Sequence, residues 1–513
     1  MKARIAAGDR QTAQAGRAIL RAGGNAVDAA VAAAFASFLT EPLLASPAGA
    51  GVALHGDAAR GFEVLDFFTV VPGIGAQPPA QLDFHEITID FGTTSQSFHV
   101  GRGAASVPTA MFGLLQLHQR GGRAPLSEVV APAVALARHG CLLSASLRYV
   151  TALLTPIVSL TPQVEALYSA DGMIAPPGTQ IRNEKLADFL EALGTEGESL
   201  LRGAFADALV DAFSPDNGGL LTREDIDRYK PVVRKPLRVA YGDLSVLTNP
   251  PPSTGGTLIG IGLRAAAAAD LGQHAFLSPD HVIALADVLS IVSHARRSEV
   301  DRRIEEPGAI AELLDDATIA RWRKEARGVS EEAHLGGTTH ISVIDKDGGV
   351  VSMTLTNGEG CGHALAGLGI HVNNFLGEDD INPLGFHKLA AGTRMTTMMA
   401  PSVVVEGGQP RFVLGSGGSN RIRSAILHGV LNHLAFGQTL DVAVNAPRMH
   451  VEGNKLWFEA ADMPAESVAA LVERWPDAAV FEDRSMFFGG VNAVGLDGAG
   501  GDRRRGGTPL DVD

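Results

Sequence analysis

Thr338 follows two glycines in Gly336-Gly337-Thr338-Thr339-His340, and that order permits an unusual use of a hydroxyl. A neutral hydroxyl is a poor nucleophile until a base takes its proton. The chain holds no Gly-x-Ser-x-Gly elbow of the kind that serves a Ser/His/Asp system. A threonine at a new chain terminus carries its own base, an α-amine whose pKa of about 8 suits neutral pH. Gly336 and Gly337 allow a strained backbone before Thr338, so its hydroxyl can attack the Gly337 carbonyl. Hydrolysis of the resulting ester frees Thr338 as an N-terminus. Gly-Gly-Thr-Thr also fits an ordinary loop, so the motif needs company.

A second feature is Gly415-Ser416-Gly417-Gly418-Ser419-Asn420, between the apolar run Phe412-Val413-Leu414 and the helical stretch 421–436. Backbone N–H groups at a strand-to-helix turn can hold a developing oxyanion. A tight packing turn is the plainer reading and a nucleotide phosphate loop a third. Neither Gly-Lys-Ser/Thr nor Gly-x-Gly-x-x-Gly spacing supports the third.

The elements that must position these residues can be read from pattern. Residues 339–345 and 350–356 are β-rich and flank Asp347-Gly348-Gly349, a hairpin signal. A three-residue loop at 347–349 pairs Lys346 with Val350, Val343 with Met353 and Ile341 with Leu355. One face is then apolar (Ile341, Val343, Val351, Met353, Leu355), with Asp345 the exception. The other carries His340, Ser342, Ser352, Thr354 and Thr356 and is expected to face solvent. Thr338 falls on that polar face, diagonally across from Thr356.

Bulk properties narrow the function classes. A chain of 513 residues accommodates roughly 2–4 domains and a large core. With 45% hydrophobic and 19% charged residues it is globular in composition. A net charge of −15 argues against a nucleic-acid partner. Sixty glycines exceed the ordinary share of about 7% and require many tight turns or close backbone approaches. The two cysteines, Cys141 and Cys361, make no disulfide framework, which favours a reducing compartment. No apolar run approaches the ~20 residues a bilayer span needs, and the start does not read as a secretory signal. The expectation is a cytoplasmic protein without a membrane partner.

Elsewhere, small and apolar residues at helical spacing over 11–38, broken at Gly23-Gly24, predict two helices with Asn25 capping the second. Ser127 to Gly140 reads as another helix, and Pro250 to Gly256 as a rigid loop before helix 257–268. Residues 301–332 are charge-dense and read as an exposed, partly helical connector. The stretch 498–513, with Arg503-Arg504-Arg505, reads as a frayed, solvated tail. Asp379-Asp380 reads as a solvated pair, His85-Glu86 as surface, and His340 as a hydrogen-bonded core histidine. Cys361 and His363 read as packing residues, too few for a zinc site, and no metal ligand set is expected.

Taken together, the motifs resemble the γ-glutamyltransferase family of N-terminal-nucleophile hydrolases, over most of the chain and in family order. They are Gly23 to Ala30, Gly103 to Gly113 with Ser106-Val107-Pro108, the helix to Gly140, Leu221 to Asp225, and Pro250 to Gly256. Then come Thr338-Thr339-His340, Asn373-Asn374, Gly417-Gly418 and Ala446-Pro447-Arg448. The resemblance implies an α+β fold, a four-layer αββα sandwich built jointly by a large fragment, 1–337 (ending in the charged connector, about 301–337), and a small fragment, 338–513. It implies cleavage between Gly337 and Thr338, Thr338 as nucleophile, Thr356 bonded to the new terminus, and Gly417 and Gly418 as oxyanion donors. Asn357 matches the family's substrate-amine ligand, although the chain is one residue shorter there. Thr396 and Thr397 stand where the family has a Ser-Ser pair that holds a carboxylate. No metal or organic cofactor is implied. The implied partners are an acyl amide, water or an amine acceptor, and the two fragments as an αβ heterodimer or a pair of them, (αβ)2.

Three departures bear on substrate. Phe68 stands where glutathione-cleaving members place an arginine, and phenylalanine cannot pair with an α-carboxylate. Phe375 replaces a polar residue after the Asn pair, and Glu378 replaces an aspartate that contacts the substrate amine. The expectation is an autoprocessing γ-glutamyltransferase-like acyl hydrolase or transferase acting through an acyl-threonine. Its rivals are the same machinery on a non-glutamyl amide or a carbon–carbon bond of a keto acid, and an inactive homologue serving as a binding subunit.

Overall fold

The computed structural model describes residues 1–90, 95–170, 173–326 and 337–512. Two antiparallel sheets lie face to face. Their strands are β1 (Arg4–Ala7), β2 (Ala50–Asp57), β3 (Gly61–Phe67), β4 (Val232–Arg234), β5 (Leu237–Tyr241), β6 (Leu244–Thr248), β7 (Thr338–Ile344), β8 (Val350–Thr356), β9 (Ser402–Glu406), β10 (Gln409–Gly417), β11 (Gly490–Gly495), β12 (Ala499–Gly501) and β13 (Thr508–Asp511). The first sheet has the order β4-β3-β2-β8-β7-β1-β13 and the second β5-β6-β9-β10-β11-β12. Each sheet therefore mixes strands from before and after the 337–338 peptide. Helices α1 (Arg10–Arg21), α2 (Ala26–Thr40) and α3 (Ala110–Gly121) cover the first sheet. Helices α4 (Thr254–Ala268), α5 (Pro279–Ala295) and α6 (Arg421–Leu434) form the layer over the second. This is the expected αββα sandwich.

Local chemistry explains the principal helices. Asp9 caps α1, and Asn25 caps α2 in a reciprocal box with Asp28. All of α2 is buried, and its alanines let it lie close to the first sheet. The helix after the Pro250 loop begins at Thr254, earlier than expected, so Gly255 and Gly256 lie inside its first turn. A Cβ on either would stand 2.0 Å from a backbone oxygen, of Met398 or Asn249, so these glycines serve close packing.

The β7–β8 hairpin departs from the expected register by two residues. Thr338 pairs directly with Thr356, Ile341 with Met353 and Ile344 with Val350. The loop still holds three residues, but they are Lys346, Asp347 and Gly348, because the Asp345 N–H bonds the Gly349 carbonyl. The cause is the Asp345 carboxylate. Its Oδ1 accepts from Asp347 N–H and Gly349 N–H, and its Oδ2 from Ala26 N–H at the start of α2. A shift of two preserves the faces. The apolar one packs on the helices, as expected.

The polar face does not meet solvent. Every residue of both strands is buried, and this face lies against the second sheet. Ser342 Oγ donates to Asn492 O, Ser352 Oγ to Leu414 O, and Asn492 Nδ2 to His340 O. The hydroxyls thus satisfy one another and the facing backbone inside the sandwich.

Two other expectations are corrected. The chain end is structured, since β13 pairs with β1, and Arg504 and Arg505 are each 8% exposed. Asp502, beneath them, ties that turn to the core. The charged connector forms helices at Asp301–Arg303, Ala309–Leu313 and Asp316–Glu325. Its Ile304, Leu313, Ile319 and Trp322 are buried, so one face belongs to the core. Residues 327–336 of the connector, Gly336 included, lie outside the described residues.

Candidate active site

The hairpin end places Thr338 and Thr356 side by side, and the intact chain runs through this point. Thr356 Oγ1 donates to the Gly337 carbonyl at 2.6 Å and accepts from Gly358 N–H at 3.0 Å. The hydroxyl beside Thr338 therefore touches the carbonyl of the preceding peptide. A hydrogen bond to that oxygen polarises the bond and steadies charge that develops on it. Gly337 is closely seated: a Cβ there would lie 2.2 Å from Gly358 O and 2.9 Å from Leu43 O.

From the second sheet, β10 ends at Gly417 against Thr338. A Cβ on Gly417 would stand 2.0 Å from the Thr338 carbonyl oxygen, which only glycine avoids. Gly418 follows with φ +120°. The Thr338 carbonyl accepts from Arg505 Nη1 at 3.3 Å, and Arg505 lies beneath both glycines. Burial pushes Arg505 down to about 10. Sequence reading missed Arg505 because three consecutive arginines near a glycine-rich terminus have the composition of a tail.

Next to Thr338, Thr339 Oγ1 donates to Glu41 Oε1 at 2.8 Å, and Thr12 Oγ1 donates to Glu41 Oε2. Burial, helped by the Asp9 charge, raises Glu41 to about 8. His340 is the core histidine expected of it: Nδ1 meets Thr354 Oγ1 at 2.8 Å and Nε2 meets Ser342 Oγ at 3.0 Å. Burial drops its pKa to about 3, which keeps the imidazole neutral.

The segment after Thr356 forms an acidic wall. Asn357 is fully buried, and neither its Oδ1 nor its Nδ2 has a hydrogen-bond partner among the described residues. Glu359 Oε1 accepts from Gly337 N–H at 3.0 Å, while its Oε2 has no such partner. Glu378 Oε1 likewise has none, and it abuts Gly358. Burial raises Glu359 to about 8, and burial with the Glu359 and Asp380 charges raises Glu378 well above its ordinary value. Asp380 is not the solvated residue expected, because Ser419 Oγ donates to its Oδ2. Arg421 lies in the same buried charge cluster, pushed down to about 9 by burial and by Arg505. Its Nε donates to Phe487 O.

The remaining expected residues are engaged in packing and in backbone contacts. Phe68 and Phe375 meet at 5.3 Å between ring centroids, and both are buried. Asn373 Oδ1 draws the contributing segments together, accepting from Ser106 N–H, Ser106 Oγ and Phe375 N–H. A cation does stand near Phe68, but Arg394 is engaged by Asp66 Oδ1, Phe68 O and Lys230 O. Thr396 Oγ1 donates to Pro252 O of the Pro250 loop, whereas Thr397 Oγ1 accepts from Met399 N–H in its own segment and the Thr397 carbonyl meets the loop, accepting from Ser253 Oγ and Thr254 N–H.

The chain matches, over residues 12–510, the family model described as Gamma-glutamyltranspeptidase. It is 32% identical over 471 residues to an Acylase ACY 1 proenzyme of Pseudomonas sp. (strain V22), covering 90% of this chain and 84% of that one. It is 29% identical over 482 residues to the Glutathione hydrolase proenzyme of Escherichia coli (strain K12), covering 87% and 80%. Its fold superposes on a cephalosporin acylase from Bacillus halodurans with TM-score 0.78, 24% identity, and coverage of 99% and 95%.

Proposed function

Because the chain belongs to the gamma-glutamyltranspeptidase family of self-processing hydrolases and acyltransferases, we propose that it cuts itself between Gly337 and Thr338. Thr338 then serves as the nucleophile of an amidase for small acyl amides. The observation that carries this reading is the Thr356 hydroxyl on the Gly337 carbonyl, directly beside Thr338.

In self-cleavage, Thr338 Oγ bonds to the Gly337 carbonyl carbon and the peptide C–N bond breaks. The hydroxyl proton ends on the departing amine of Thr338, and water hydrolyses the ester. In turnover, that α-amine takes the Oγ proton as Oγ attacks the substrate carbonyl, and returns it to the leaving amine. Gly417 and Gly418 N–H groups hold the oxyanion, and Arg505 behind them adds positive charge. Water or an amine acceptor then resolves the acyl-threonine. The two fragments stay together as an αβ heterodimer, since strands of both are hydrogen-bonded side by side within each sheet. Pairing of two heterodimers as (αβ)2 is part of the same proposal. So is a cytoplasmic location, in keeping with two buried free cysteines.

The substrate is a non-γ-glutamyl acyl amide. The Phe68–Phe375 pair gives the acyl pocket an apolar wall where an α-carboxylate would need a free guanidinium. Asn357 and Glu378 remain as polar ligands for the acyl group. A panel of acyl amides, half γ-glutamyl and half aliphatic or aromatic, assayed with the self-processed protein and with Thr338→Ala, tests this. Turnover that survives in Thr338→Ala would exclude Thr338 as nucleophile. A uniform preference for γ-glutamyl donors would exclude the substrate class.

A further inference from the structure

We propose that Glu359 is a positioning residue for self-cleavage, holding the acyl side of the scissile bond by the N–H of Gly337. This rests on the reading that the chain is cut before Thr338. Cleavage requires the Gly337 carbonyl carbon to stay in line with Thr338 Oγ, and a glycine has more backbone freedom than any other residue. Four neighbouring groups remove that freedom. Thr356 Oγ1 holds the carbonyl at 2.6 Å and Glu359 Oε1 holds the N–H at 3.0 Å. The carbonyl oxygens of Gly358 and Leu43 close off the space at Cα.

The loop is built to aim Glu359 back at Gly337. Its neighbours Gly358 and Gly360 have φ of +62° and +87°, which turn the backbone sharply on both sides. A Cβ on Gly360 would strike the His371 ring at 2.2 Å. Asn374 Oδ1 fastens the turn by accepting from Glu359 N–H at 2.9 Å and Gly360 N–H at 3.2 Å. Glu359 itself is 2% exposed, so water does not compete for the Gly337 N–H. Its other oxygen makes no hydrogen bond among the described residues. The carboxyl takes no part in the covalent step. The Oγ–C bond forms, the C–N bond breaks, and the hydroxyl proton goes to the Thr338 amine as above. When Gly337 departs, this contact ends.

The test follows cleavage of the full chain after cell-free synthesis, by denaturing mass spectrometry. Glu359→Leu removes the acceptor and slows cleavage roughly tenfold or more. Glu359→Gln keeps an acceptor oxygen and retains most of the rate. Melting of each variant in the Thr338→Ala background separates a folding defect from slow chemistry. Glycolic acid at position 337, inserted during translation, replaces only the Gly337 N–H by an ester oxygen and should also slow cleavage several-fold, by about 1 kcal/mol of lost hydrogen bond. Wild-type rates in Glu359→Leu, or Glu359→Gln as slow as Glu359→Leu, overturn the assignment. If Glu359→Leu does not fold, the glycolic chain decides, a normal rate overturning it. No cleavage in the unaltered chain would instead overturn the cleavage reading itself.

Discussion

Thr356 and Gly337, nineteen positions apart, are joined by a 2.6 Å hydrogen bond from the threonine hydroxyl to the carbonyl preceding Thr338. Thr356→Ala should therefore slow the appearance of fragments by roughly 10–150-fold, the effect of losing about 1.5–3 kcal/mol at a reacting group. Thr354→Ala is the contrasting variant. Its hydroxyl holds His340 instead, so its loss should lower stability by about 1–2 kcal/mol while cleavage continues. Cleavage half-times and thermal melts of both variants, side by side, decide the matter. Normal processing in Thr356→Ala would remove the threonine from the reaction.

Self-cleavage has a mass signature. Denatured, the mature protein should yield chains of 337 and 176 residues without a disulfide between them. Thr338→Ala should give one chain of 513 residues with no turnover. An active preparation containing only the full-length chain would contradict this.

The aromatic pair makes a prediction about specificity. With Phe375 against Phe68 and Arg394 engaged by Asp66, the Phe68 position offers glutathione and γ-glutamyl anilides no guanidinium for their α-carboxylate. The missing desolvated ion pair corresponds to roughly 2–5 kcal/mol, a loss of about 30-fold or more in kcat/KM relative to arginine-bearing relatives. Steady-state kinetics with both substrates measures it. Efficient glutathione hydrolysis would mean that another cation reaches the substrate, either Arg394 released from Asp66 or Arg421, whose Nη atoms are unpartnered among the described residues. Phe68→Ala should cost about 3–5 kcal/mol of stability as a core truncation.

Glu41 should leave a trace in the pH dependence of stability. Burial raises its folded pKa from 4.5 to about 8, so the folded state holds a proton that the unfolded state releases between those values. The contribution is present at low pH and is lost as pH rises from about 4.5 through 8. Glu41→Gln cannot ionise and lacks that slope. Its melting temperature relative to the unaltered chain should climb between pH 5 and pH 9, by the equivalent of about 1 kcal/mol or more. A constant difference across that range would show that Glu41 does not titrate in the fold.

Much of the hairpin was legible because strand chemistry is local. Alternation over 339–345 and 350–356 assigns faces without knowledge of any neighbour, and a register error of two leaves those faces unchanged. The error itself came from Asp345, whose carboxylate closes the turn while capping α2, more than three hundred residues earlier in the chain. Pattern showed a polar face on this hairpin but not its surroundings. Only the second sheet, laid over it, turns apparently solvated serines and threonines into a buried hydrogen-bonded seam.

By itself the sequence determined that Thr338 and Thr356 share a hairpin face, that a glycine pair ends a strand, and the layered fold, since each depends on residues near one another or on an ordered series of motifs. The tertiary structure decided the rest. Glu41, Glu359 and Arg505 sit in stretches whose composition reads as helix end, glycine-rich loop and charged tail. They become site residues because packing carries Glu41 behind Thr339, turns Glu359 back on Gly337, and buries Arg505 beneath Gly417 and Gly418. Charge and exposure are properties of the folded surroundings. A side chain's composition reveals what it can donate or accept, and only the fold fixes whether water or the scissile peptide receives it.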